Sequence, residues 1–252
     1  MSKAKDFQTL HVKSDPVVLF NVWDAGSAAI VQSAGAKAIA TGSWPVAAAH
    51  GFVDGQIIPL ELMLENLRRI VAAVDLPVSC DIEGAYSETA DGVADTVAQV
   101  ISAGAVGVNF EDQIVGGAGL YDVTQQAARV AGARAGADRA GPDVFLNART
   151  DLFLKAKPVD HAALLSEAIS RAQAYAGAGA NGFFVPGLTH EGLIKSLCAD
   201  CPLPVNILAL PHAPSARVLA DLGVARISHG PVPYKKMAAW LEEQAKAAIL
   251  YR

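Results

Sequence analysis

Two textures alternate along this chain eight times, and that alternation limits the folds open to it more than any other feature. Short apolar runs rich in β-branched residues span 17–24, 38–43, 77–83, 107–113, 144–151, 182–187, 204–210 and 225–230. Ala-rich stretches with apolar residues three or four apart follow them, at 25–34, 60–74, 88–103, 124–137, 166–178, 190–199, 214–222 and 234–248. Leu60, Leu64, Leu67 and Val71 show this helical rhythm. Several helical stretches finish on a glycine, as in Ser33-Ala34-Gly35 and Ser102-Ala103-Gly104, and a glycine there accepts a left-handed C-cap. The strands read as nearly continuous apolar runs, which is the pattern of a parallel sheet covered by helices on its outer side. Eight strand–helix pairs in 252 residues predict an α/β chain of the (β/α)8 TIM-barrel class. An open doubly wound sheet is the alternative, but no Gly-x-Gly-x-x-Gly follows the first strand. No linker or change of composition divides the chain, so residues 1–252 read as one domain.

Composition removes several classes of function. Apolar residues make up 52% and charged residues 18%, a balance that excludes a disordered chain. The net charge of −5 offers no field for nucleic acid or for an anionic membrane. The longest uncharged stretch, 172–190, is broken by Gly177, Gly179, Gly182, Pro186 and Gly187, so no membrane span is expected. The first residues, MSKAKDFQTLHVKSD, contain no apolar signal core. Cys80, Cys198 and Cys201 are too few for a disulfide framework, and a cytoplasmic protein is expected. Cys198 and Cys201 have CxxC spacing but precede a strand, the reverse of the redox arrangement, and no second ligand pair exists for zinc.

The polar chemistry gathers where the strands end. The first strand closes on Asn21-Val22-Trp23-Asp24 and the third on Asp81-Ile82-Glu83-Gly84. The fourth closes on Asn109-Phe110-Glu111-Asp112 and the fifth on Asn147-Ala148-Arg149-Thr150-Asp151. In a barrel these positions meet at one rim, the C-terminal mouth where barrel active sites lie. Asp24, Asp112 and Asp151 read equally as helix N-caps. Asp81 and Glu83 are two apart and share a strand face, with Glu111 on the neighbouring strand. Carboxylates about 4 Å apart repel by about 4 kcal/mol at an effective dielectric near 20, so such a trio takes up protons or binds a cation. An all-oxygen set favours Mg²⁺ or Mn²⁺, and Arg149 is placed to hold a substrate carboxylate opposite it. Thr41-Gly42-Ser43-Trp44 offers small residues whose amides can cradle a carboxylate. Gly51 to Gly55 frame a loop that carries Asp54, and 114–123 (IVGGAGLYDV) suits a mobile lid. His190, His212 and His229 fall near strand ends, with His212 the best placed for a site role. No lysine ends strands five to seven and no Gly-x-Ser-x-Gly is present, which disfavours Schiff-base and serine-hydrolase chemistry.

These segments together resemble the isocitrate lyase/phosphoenolpyruvate mutase superfamily. Phe20 to Ala28 is similar to its first strand and turn, followed by Gly42-Ser43 and Gly51-x-x-Asp54. Asp81-Ile82-Glu83-Gly84-Ala85-Tyr86 resembles its metal segment, and Phe110-Glu111-Asp112-Gln113 and Ala148-Arg149-Thr150-Asp151 resemble two further strands. The resemblance implies a Mg²⁺-dependent barrel enzyme acting on 2-oxo or 2-hydroxy acids through a pyruvate-type enolate. It implies Asp81 as principal metal ligand, with Glu83 and Glu111 acting directly or through water. Ser43 with the Gly42 and Trp44 backbone would hold the C1 carboxylate, Asp54 would sit beside the reacting group, and Arg149 would hold the substrate. Trp23, Asp24, Asn206 and His212 complete the expected substrate-binding set, and Glu111 joins Asp54 and Arg149 in the catalytic one. The resemblance also implies a homotetramer with an exchanged C-terminal helix, for which 234–250 is the candidate.

The chain departs from the superfamily at two places. Glu83 stands where an Asp is common, and the lid lacks the K-[KR]-C-G-H sequence of the lyases. A lid without an acid or base suits decarboxylation of an oxaloacetate-like acid, because a metal can absorb the developing charge without a protein base. The expected activity is therefore a carbon–carbon lyase on a small dicarboxylic acid, with decarboxylation ahead of retro-aldol cleavage. Phosphonopyruvate hydrolysis or mutation, and a non-catalytic 2-oxo acid binder, are the alternatives.

Overall fold

The computed structural model describes residues 2–250, and it is a (β/α)8 barrel. Its strands are β1 (Val17–Leu19), β2 (Ile39–Ala40), β3 (Val78–Asp81), β4 (Gly107–Glu111), β5 (Phe145–Arg149), β6 (Gly182–Phe184), β7 (Val205–Leu208) and β8 (Arg226–Ser228). All pair in parallel in the order β1-β8-β7-β6-β5-β4-β3-β2. The ring closes just beyond β1, where Val22 bridges Thr41 and the Val22 amide donates to Ala40 O at 2.9 Å. Asn21 staples this seam. Its Nδ2 donates to Thr41 O at 2.8 Å, and its Oδ1 accepts from the amides of His229 and Gly230 at 2.9 and 2.8 Å.

The outer helices are α2 (Ala25–Ser33), α4 (Leu60–Ala73), α5 (Ala90–Ser102), α6 (Val123–Ala140), α8 (His161–Gly177), α9 (Glu191–Asp200), α10 (Ala216–Asp221) and α11 (Val232–Ile249). Gly104 and Gly179 follow α5 and α8 at φ +104° and +99°, the left-handed C-cap geometry that the sequence suggests. Helices α5 and α6 approach so closely that a Cβ on Gly136 would lie 2.1 Å from Ala94 O. No helix is long and apolar enough to cross a membrane among the described residues. All three cysteines are buried and free, and burial pushes the Cys198 thiol up to about 12, away from thiolate chemistry.

Three helices lie outside the predicted stretches: α1 (Lys3–Thr9), α3 (Ser43–Ala49) and the single turn α7 (Leu152–Lys155). The first closes the N-terminal end of the barrel. Phe7 is fully buried, its ring 5.6 Å edge-on to Phe145, while His11 stacks on Phe145 at 3.8 Å. The strands are also shorter than predicted, although β3, β4 and β5 keep Asp81, Glu111 and Arg149 as their last paired residues. The last helix stands apart from its own barrel. Trp240 and Leu241 on α11 are 60% and 55% exposed. Pro16, Val18, Phe20, Ile30, Val31 and Ala34 line an open apolar groove beside β1 and α2.

Candidate active site

The parallel register sets the site, because β3, β4 and β5 end side by side at the C-terminal mouth. Asp81, last in β3, lines a cavity of about 230 Å³ there. Its amide donates to Thr41 Oγ1 at 3.0 Å. Its carboxylate accepts from Ser43 N and from Asn109 Nδ2, each at 3.2 Å. Gly42, Ser43 and Trp44, at the start of α3, line the same cavity together with Asp54 and Arg149. Six of the residues expected from sequence thus converge on one space.

The next acid is held in a strained turn. Glu83, Ala85 and Tyr86 have φ of +50°, +61° and +54°, and Gln56 has +60°. Non-glycine residues in this region cost on the order of 1 kcal/mol or more each, and they persist where surrounding contacts enforce them. Those contacts are visible. The Gln56 amide donates to both Glu83 oxygens at 3.1 and 3.0 Å, and Tyr86 N donates to Gln56 Oε1. Burial, then Asp54 and Asp81, push the Glu83 carboxyl up to about 7. Burial and then Asp81 also raise Asp54, against a hydrogen bond from Ser43. Asp54, Asp81 and Glu83 therefore lie near enough to feel one another's charge, and all their donor atoms are oxygen.

Arg149 is less free than expected. The register places Glu111 directly across from it, and Asp151 lies two residues beyond the end of β5, just before α7. Arg149 Nη1 meets Glu111 Oε2 at 2.8 Å, while Nε and Nη2 grip Asp151 Oδ1 and Oδ2 at 2.6 and 2.9 Å. Burial opposes its charge, but these two acids outweigh that effect and hold the guanidinium protonated. Glu111 is thus engaged by Arg149 and Glu83 by the Gln56 amide. Among the described residues no three His, Cys, Asp or Glu side chains converge on one point. The expected trio Asp81, Glu83 and Glu111 is not gathered as a single direct ligand set, although its all-oxygen donors suit a hard cation rather than a soft one.

Four expected residues lie elsewhere. Asp24 is the N-cap of α2, its Oδ1 accepting from Ser27 N at 2.7 Å while Ser27 Oγ accepts from the Asp24 amide at 3.1 Å. Trp23 packs edge-on to Tyr234 with ring centres 5.0 Å apart. Asn206 donates to the Ile207 and Arg226 carbonyls and accepts from Asn147 and Ser228, which uses its hydrogen-bonding capacity inside the barrel. His212 is exposed on the turn after β7, outside the cavity lining. Asp112 is no cap either, because it anchors Arg171 and Tyr175, each at 3.0 Å.

The structure also adds polar residues that the sequence reading passed over. Asn109 and Asn147 stand two residues before Glu111 and Arg149 and so face inward with them. Arg226 and Ser228 line the cavity from β8. An arginine opening a strand that is buried along its length was the available signal, since a charge there needs a reason. Above the mouth, the 113–120 loop folds on itself through a Gln113–Leu120 bridge, and it carries no ionisable side chain between 114 and 120. Beside it Arg129 holds the turn after β3, donating to the Gly84 and Ser87 carbonyls at 2.8 Å each, with its guanidinium 4.1 Å from the Tyr121 ring centre.

A parallel barrel with its cavity among the strand C-termini, an acidic cluster on one side and a paired arginine on the other, defines a barrel-enzyme class of site. The family pattern described as phosphoenolpyruvate phosphomutase matches residues 7–249, and the chain belongs to that family, within the isocitrate lyase/phosphoenolpyruvate mutase superfamily. A Burkholderia cenocepacia crystal structure, provisionally called a phosphonomutase, superposes with a TM-score of 0.95 at 51% identity over 98% of both chains. An uncharacterized protein of Mycobacterium tuberculosis, Rv1998c, is 36% identical over 90% of this chain and 83% of its own length. The 2-methylisocitrate lyase of Escherichia coli is 31% identical over 81% of this chain and 69% of its own. An oxaloacetate decarboxylase of Bradyrhizobium sp. is 28% identical over 87% and 76%. The superfamily's members are lyases and mutases, which supports an enzyme here.

Proposed function

We propose that the protein is a Mg²⁺-dependent carbon–carbon lyase acting on a small 2-oxo or 2-hydroxy acid with more than one carboxylate. The observation that carries this reading is Asp81, set by Thr41, Ser43 and Asn109 in a cavity that it shares with Asp54 and Arg149. Asp81 would hold the metal directly, with Glu83 and Glu111 reaching it through water; Mn²⁺ would serve in the same place. When bound, the ion supplies Lewis-acid charge against the oxyanion that builds up on the 2-oxo group. Ser43 and the neighbouring amides of Gly42 and Trp44 orient the C1 carboxylate. Arg149, fixed by Glu111 and Asp151, presents its remaining N–H edge toward the reacting centre. Asp54, whose carboxyl burial and Asp81 push above the ordinary carboxylate range, is the nearest proton carrier.

The lid sequence favours bond cleavage that needs no protein acid above the substrate, which puts decarboxylation first and retro-aldol cleavage second. The test is a screen of 2-oxo and 2-hydroxy di- and tricarboxylic acids with Mg²⁺ present, read as release of CO2, pyruvate or glyoxylate. Metal-dependent release that disappears in Asp81→Ala supports the reading. Release of phosphate from phosphonopyruvate, with no carbon–carbon cleavage of any acid, would replace it. We also propose that the subunits exchange α11, because its apolar face is exposed while an apolar groove of the barrel stands open.

A further inference from the structure

Arg226 opens β8 and faces into the barrel beside Val17 and Asn206. It is only 3% exposed, yet among the described residues it forms no ion pair. Its Nε reaches Ser228 Oγ at a long 3.4 Å, and its Nη1 has no partner at all. Arg129 likewise has no carboxylate partner among the described residues and leaves its Nε unpartnered, but it, Arg149 and Arg171 each make at least three hydrogen bonds or ion-pair contacts where Arg226 makes one. Arg129 donates to Gln126, Gly84 and Ser87, Arg149 to Glu111 and Asp151, and Arg171 to Glu167, Asp112 and Tyr175. Burial pushes Arg226 down to about 9, with only Asp81 pulling the other way, so it remains a cation at neutral pH. An uncompensated buried charge is destabilising, and a strongly perturbed charge that lines a cavity marks a candidate binding group.

The position of Arg226 says what it would bind. It lines the same cavity as Asp81, Ser43 and Arg149, but from the opposite, deeper side, two residues before Ser228 on its strand. Close by, Asn147 Oδ1 is another buried atom without a partner. The cavity therefore has an acidic, metal-fitting side at its rim and a free guanidinium at its floor. Arg149 cannot fill this role as fully, because two carboxylates already neutralise it.

We propose that Arg226 receives a second carboxylate of the substrate, one that the reaction retains. The proposal rests on the 2-oxo acid reading of the Asp81 end and names the substrate class more narrowly. A guanidinium stabilises a carboxylate in its charged ground state, so a group seated on Arg226 is not the one released as CO2. A four-carbon 2-oxo diacid can offer Arg226 only the carboxylate that decarboxylation would expel. The site is instead matched to a longer acid, either one with a third carboxylate or a 2-hydroxy diacid split between its two ends.

Calorimetric binding in the presence of Mg²⁺ separates the contributions. Oxalate probes the Asp81 end alone. The probes 2-oxoglutarate and 2-oxopentanoate share a chain length and differ in the distal carboxylate, and neither has a carboxylate placed to leave. The wild-type protein is expected to bind 2-oxoglutarate at least tenfold more tightly than 2-oxopentanoate. Arg226→Met should abolish that preference and leave oxalate affinity unchanged. It should also raise Tm without ligand, because it removes an unpaired buried charge. Arg226→Lys, which keeps the charge in the fold, should retain part of the preference and serves if Arg226→Met does not fold. Equal affinity for the two acids in wild type, or an undiminished preference in both variants, overturns the role of Arg226. Failure of oxalate to bind wild type at all overturns the 2-oxo acid reading, and the proposal falls with it.

Discussion

Arg149 shows how a single side chain takes its role from its neighbours. Its forked grip on Asp151 and its contact with Glu111 need the planar guanidinium, which an ammonium cannot reproduce. Arg149→Lys is expected to lower turnover by two orders of magnitude or more while leaving the circular dichroism spectrum intact. An active Arg149→Lys enzyme would mean that the guanidinium only props the strand ends apart. His11 carries a different test. Burial, with Arg226 adding to it, lowers its pKa from 6.5 to about 3, against the carbonyls of Phe7 and Gln8. The unfolded chain therefore binds the proton more readily, and stability is lost as pH falls from about 6.5 toward about 3. His11→Phe, which keeps the stacking on Phe145, should flatten the denaturation midpoint between pH 6.5 and 5 relative to wild type. The places of Asp81, Gly42, Ser43 and Trp44 were legible at this scale because their motifs fall where strands end, and that of Asp54 because glycines frame its loop. Arg226 was not, because pattern reading looks for charges at strand ends and this one begins a strand.

At the scale of elements, the closest approach is between α5 and α6, where glycine is a packing requirement. A side chain at Gly136 would run into the Ala94 carbonyl, so Gly136→Leu is expected to destabilise by about 1–3 kcal/mol in denaturant unfolding. The free-standing α11 yields a second prediction. Ile30 is 69% exposed in the groove, and a glutamate there would cost a lone subunit little. If a neighbour's α11 fills the groove, Ile30→Glu should reduce the mass measured by light scattering; an unchanged mass would refute helix exchange. The alternating textures gave the eight strands and eight of the outer helices. They missed α1 and α3, since seven-residue helices show too little periodicity and Ser43-Trp44-Pro45 reads as a turn.

For the whole molecule, parallel pairing explains why residues from Asn21 to Arg226 meet at all. Each βα unit is local in sequence, but closing the ring brings β3, β5 and β8 around one cavity. The barrel class was readable because a strand buried on both faces leaves a distinctive apolar run. The partition of acids was not, because it depends on register: Glu111 faces Arg149 only once β4 and β5 are aligned. That partition leaves Asp81 and Asp54 as the acids that line the cavity, and the proposed chemistry depends on Asp81 holding a divalent ion. Titration of Mn²⁺ followed by electron paramagnetic resonance tests this most directly. One tightly bound ion per chain in wild type, perturbed by oxalate and absent in a folded Asp81→Asn variant, is the predicted result. An Asp81→Asn protein that binds Mn²⁺ as tightly as wild type, with the same response to oxalate, would contradict it.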